Sequence, residues 1–134
     1  SMGGIAAALA TEELTHIEKL VLIAPATETP RAIDNFYQFV PLGNTVKEAM
    51  IEYIIELAQQ PLSYFSVVRS VQQHTTPTLW LHDEGDWICP YEDVLPAQQL
   101  QLQHVEFYIT KGLGHSKIYR DAKVTKKIID FMHG

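Results

Sequence analysis

The chain has 134 residues, with 10 Lys+Arg against 16 Asp+Glu, 46% hydrophobic and 19% charged residues, and a formal net charge of −6. Such a composition can bury a real core as one globular domain and excludes disorder as the main state. The acidic balance excludes a nucleic-acid groove, no apolar run reaches the roughly 18 residues that cross a bilayer, and a single cysteine, Cys89, fits a reducing, cytoplasmic setting.

Met2 to about Ala10 is Ala-rich and predicts a helix. Its apolar run is preceded only by Ser1 and Met2, without the basic residues that open a secretory signal, so it reads as part of the fold. Ile17–Ala24 has a continuous apolar second half that stops at Pro25, the pattern of a parallel strand covered on both faces. Residues 27–76 then form a long insertion. Phe36, Tyr37, Phe39 and Pro41 lie in a stretch expected to be non-helical. Thr45-Val46-Lys47-Glu48 has the form of a capping box, ahead of a helix that places Val46, Ala49, Met50, Tyr53, Ile54, Leu57 and Ala58 on one face. Pro61 is placed to open a second helix running to about Gln72. An insertion of this kind predicts either a lid over a pocket or a subdomain packed on itself. Pro77–His82 predicts a second buried strand, and Val105–Thr110 alternates as a strand nearer an edge does. Residues 121–132 close the chain with Val124, Ile128, Ile129 and Met132 at helical spacing. Strands separated by helices predict an α/β fold with a parallel sheet of three strands.

Three stretches could carry chemistry. Ser1-Met2-Gly3-Gly4 opens a helix, where backbone N–H groups can stabilise negative charge and glycines permit close approach of a neighbour. On its own this serine reads equally as an N-cap. Asp86, in the segment His82–Pro90, follows a buried strand, and functional groups of parallel sheets gather at carboxyl ends. It could orient an imidazole there, or be an ordinary turn residue after Gly85. Gly112-Leu113-Gly114-His115-Ser116 allows a tight turn that aims the ring along the sheet's top edge, which makes His115 a better base than His16, His74, His104 or His133. The histidines show no clustered ligand spacing, so no metal is expected.

Ser, Asp and His on successive strand ends is the order that the α/β-hydrolase fold uses. The chain resembles the C-terminal half of an α/β-hydrolase-family serine hydrolase, beginning at the nucleophile elbow. Ser1-Met2-Gly3-Gly4 is similar to the family's Gly-His-Ser-Met-Gly-Gly from the serine onward. Asp86 and Pro90 resemble its acid turn, with Asp83 where the family has glycine, and Gly112-Leu113-Gly114-His115 resembles its Gly-x-Gly-His. The resemblance spans essentially the whole chain. It implies a partial α/β-hydrolase fold with flanking helices, a helical lid at 27–76, and cleavage of a small ester, thioester or amide without a cofactor. It implies Ser1 as nucleophile, His115 as general base, Asp86 as its orienting acid and the Met2 N–H as an oxyanion donor. Phe36, Tyr37, Phe39, Met50 and Tyr53 would form an apolar substrate wall, although they read equally as the insertion's own core. His82 and Asp83 are expected to shape the acid loop, and Cys89 to be a small buried apolar residue.

In the family, the elbow strand, a glycine and the loop bearing a second oxyanion donor come before the nucleophile. Without them the stretch is expected to turn over little substrate, because misplacement by about 1 Å can cost a hundredfold. The strand at 17–24 would then present an open edge, which predicts a homodimer paired there. A catalytically inert, self-associating half-domain is the rival from another class. A free N-terminal serine could also use its own amine as base, but that chemistry ordinarily sits on antiparallel sandwiches.

Overall fold

The computed structural model describes residues 1–134. Strands β1 (Leu20–Ile23), β2 (Thr78–Asp83) and β3 (Val105–Thr110) form one parallel sheet in that order. Leu20 pairs with Thr78, and Thr78 with Val105, so the three carboxyl ends lie together. Side chains alternate between two faces. Leu20, Leu22, Trp80 and Val105 pack towards helices α1 (Met2–Glu13), α4 (Val67–Ser70) and α5 (Leu95–Gln99). Leu79 and Leu81 face Ile118 and Val124, the latter on α7 (Ala122–His133). Cover on both sides is the reason all six β2 residues are buried.

The predicted strands are all present. β3 has the predicted limits and is an edge strand, and β2 is displaced by one residue. β1 is shorter than predicted, because Ile17–Lys19 stay outside it. Lys19 instead donates to the carbonyls of Phe131 and Met132 at the end of α7, where a cation suits the helix dipole. No helix is long and apolar enough to cross a membrane.

The segment between β1 and β2 departs from prediction in detail. Phe36, Tyr37 and Phe39 are helical, within α2 (Thr29–Phe39). Pro30 in its first turn and Ile33, Phe36 and Tyr37 at helical spacing are the local reasons. Helix α3 (Asn44–Ala58) starts one residue before Thr45, with extended Gly43 as N-cap and no side-chain cap, so the capping box does not form. Its apolar stripe is not a core face: α3 has no buried residue, and Leu57 is 68% exposed. Pro61 precedes only a 3-10 turn (Leu62–Tyr64), and the predicted second helix shrinks to α4, whose Ser66 cap accepts from Arg69 N. The short helix α6 (Gly114–Lys117) follows β3.

Candidate active site

Ser1 lies at the carboxyl end of β1. Its nitrogen donates to Ala24 O, and its carbonyl accepts from Ala26 N at 3.1 Å. These two bonds are the parallel-ladder pattern about Pro25, so Ser1 stands where the last residue of a further parallel strand would stand. α1 begins directly after it. Gly4 is needed there, since a Cβ would lie 2.5 Å from Pro25 Cβ, whereas Gly3 has open space. Ser1 is the N-cap residue of α1, but its hydroxyl makes no capping hydrogen bond and stays uncommitted.

Asp86 is fixed by the loop after β2. Its Oδ1 accepts from Ile88 N at 3.0 Å and Cys89 N at 2.8 Å. Its Oδ2 faces His115 Nδ1 at 2.8 Å. A carboxylate accepts, so His115 Nδ1 carries the proton and Nε2 keeps its lone pair for a substrate-side proton. His115 enters from the turn after β3, where Gly112 and Gly114 take φ of +79° and +61°, values that glycine adopts without strain. His82 Nε2 donates to Cys89 O at 2.7 Å and pins the same loop. Burial holds His82 below the ordinary histidine range, against the Cys89 carbonyl and the Asp86 charge that pull it up. The imidazole is therefore a neutral strut.

Beside Ser1 is a cavity of about 380 Å³ lined by Met2, Ile33, Phe36, Phe39, Met50 and Ile88 among others, with Ser1, Thr29 and Asn35 as its polar residues. No Asp, Glu, Lys or Arg lines it. Phe39 crosses to Trp87 of the acid loop with ring centroids 5.5 Å apart.

Comparison with solved structures finds the same fold in hydrolases. The Pyrococcus furiosus esterase Pf2001 superposes with a TM-score of 0.68 at 13% identity, over 97% of this chain and 49% of the esterase. MGS-M2, an α/β hydrolase from a Medee basin deep-sea metagenome library, gives 0.62 at 20% identity, over 98% of this chain and 62% of its own. GrgF, an α/β hydrolase from Penicillium sp. sh18, gives 0.58 at 17%, over 96% and 59%. The fold is a partial α/β-hydrolase fold. The chain spans about half the length of the esterase it matches. No protein-family model matches the sequence, and no curated protein matches it.

Within this α/β-hydrolase framework, the residues singled out from sequence fall into two groups. Asp86 and His115 are in contact, and Ser1 and Met2 line the adjacent cavity. Phe36, Phe39 and Met50 line it as well, whereas Tyr37 and Tyr53 do not. Tyr37 turns its hydroxyl to Met50 Sδ at 3.6 Å, supporting the wall from behind, and Tyr53 is 60% exposed. Cys89 is buried as expected, but it also lines the cavity. Burial pushes its thiol up, which leaves it unreactive. The sequence reading missed Ile33 and Ile88 as wall residues. The helical spacing of Ile33 with Phe36 and Tyr37, and the position of Ile88 two after the acid, were the available signals.

Proposed function

We propose that the chain is the triad-bearing part of a serine hydrolase of the α/β-hydrolase type, acting on a small ester, thioester or amide with an uncharged, apolar acyl group. The observation that carries this reading is the 2.8 Å pair of His115 Nδ1 and Asp86 Oδ2, set beside a cavity that holds an uncommitted serine hydroxyl. Ser1 Oγ bonds to the carbonyl carbon while its proton passes to His115 Nε2, and the carbonyl becomes an oxyanion. The Met2 N–H, free at the first turn of α1, donates to that oxygen. Collapse breaks the bond to the leaving group, which takes the proton from the imidazolium, and water then releases the acyl group by the same path. Asp86 holds the tautomer throughout and stabilises the charged ring.

Helices α2 and α3, residues within 27–76, act as a lid that supplies Phe36, Phe39 and Met50. The absence of a charged lining residue selects against anionic acyl groups, whose desolvation would go uncompensated. The free thiol of Cys89 supports a reducing, cytoplasmic setting. Full turnover belongs, on this reading, to a protein that also supplies a strand along the open edge of β1 and a second oxyanion donor.

A fluorophosphonate probe followed by peptide mass mapping tests the assignment. Ser1 is expected to label in the wild type and to stop labelling in His115→Ala. Labelling at another residue, or none, would sink it. Activated esters of increasing chain length then rank the acyl pocket. The unpaired outer edge of β1 favours a second reading, an inert domain that dimerises by joining two sheets there. Sedimentation as a single monomeric species would remove it.

A further inference from the structure

Resting on the hydrolase reading above, we propose that Asp83 is a positioning residue that locks the acid loop to the histidine loop and thereby sets the His115–Asp86 geometry. Asp83 ends β2 and is wholly buried, at 0% exposure. No cation pairs with it. A bare carboxylate in such a place is strongly disfavoured unless hydrogen bonds replace its water. Here they do. Its Oδ1 accepts from Gly85 N at 2.9 Å, and its Oδ2 accepts from the Thr110 hydroxyl at 2.6 Å and Leu113 N at 3.0 Å.

The placement of these donors gives the residue its role. Gly85 immediately precedes Asp86, and Gly114 immediately precedes His115. The bonded N–H groups of Gly85 and Leu113 therefore stand one residue before Asp86 and two before His115, on one carboxylate. The positive φ of Gly112 and Gly114 gives the tight turn that brings Leu113 N to Asp83. Glu84 N also donates to Thr110 O at 2.9 Å, so the two loops leave the sheet already joined. Burial by itself would push the Asp83 carboxyl up. The Thr110 hydroxyl and the N–H groups of Gly114, Leu113 and Gly85 outweigh that and hold it below the ordinary carboxylate range. A glycine at this position could make none of these bonds.

The test uses the full chain and two variants. Asp83→Asn keeps the shape but turns an amide N–H towards a backbone or hydroxyl donor. In it, the limiting rate of Ser1 phosphonylation is expected to fall about tenfold to a hundredfold, with the half-saturating probe concentration unchanged. The low-field proton resonance of His115 Nδ1–H is expected to broaden away. Thr110→Val keeps the carboxylate and removes one donor, and should show the same changes to a smaller degree. A folded Asp83→Asn with wild-type rate and resonance overturns the proposal, as does one in which only half-saturation moves. Should Asp83→Asn not fold, Thr110→Val decides: a broadened resonance supports the lock, and a wild-type spectrum and rate refutes it. Should wild-type Ser1 fail to label, the hydrolase reading falls, and the resonance comparison alone decides the role of Asp83.

Discussion

The loops that follow β2 and β3 and the helices between β1 and β2 are held in different ways. At the end of β2 and in the loop after it, His82, Asp83 and Asp86 are all buried, and Asp83 and Asp86 each receive several hydrogen bonds at fixed distances. Across the cavity, α3 buries nothing, and it is linked to α2 by a Tyr37–Met50 contact and a Lys47–Asp34 ion pair at 2.6 Å on the surface. Exposed ion pairs contribute about 0–1 kcal/mol. One side is thus a frame tied by buried hydrogen bonds, and the other is a weakly held wall.

Substitutions can break or sharpen that contrast. The largest effect is expected from Asp86→Asn, which supplies the wrong partner to His115 Nδ1 and should lower the acylation rate on the order of 10⁴-fold with the fold intact. Phosphonylation kinetics beside circular dichroism would check both halves of that statement. Next comes the frame beneath the loops. Trp80 is fully buried in β2, and Trp80→Ala should cost about 3–5 kcal/mol in urea unfolding. Gly4→Ala forces a methyl against Pro25 and should cost about 1–3 kcal/mol, with a loss of labelling as Ser1 shifts.

His82 sharpens the contrast through pH. Its folded value is depressed by burial, so below about 6.5 the unfolded chain takes up a proton that the folded chain refuses. The stability this contributes is whole above the unfolded value and fades as pH falls towards the lower folded one. Unfolding midpoints between pH 5 and 7 should therefore slope less in His82→Gln, with a residual slope from His74, depressed in the same direction by burial. The smallest effect belongs to the wall: Leu57→Ser on α3 should change stability by less than about 0.5 kcal/mol. A cost near that of Trp80→Ala would mean that α3 is packed against something, and the contrast would fail.

How much was legible in the sequence follows the same division. β1 and β2 could be read because apolar runs covered on both faces leave a pattern independent of partners, and β3, with the predicted limits, because its alternation does the same. The insertion could not be read as well. Its apolar residues are not committed to a core, so their spacing did not distinguish an exposed stripe from a buried one, and the Thr45 box lost to a start at Asn44. At the candidate site, Ser1, Asp86 and His115 could be named from their order on strand ends and the family resemblance, since Ser1 and Asp86 taken alone kept ordinary readings. Asp83 could be noticed only as a departure from glycine, because its partners Thr110 and Leu113 are about thirty residues away.

Local sequence determined which segments become strands and helices, and that glycines flank the serine and the histidine, because these depend on period and backbone freedom within a few residues. Tertiary structure alone decided that Ser1 pairs alongside Pro25, that Asp86 meets His115, and that one buried carboxylate joins their loops. Those contacts form only when parallel strands bring distant carboxyl ends to one edge, and no run of neighbouring residues encodes that distance.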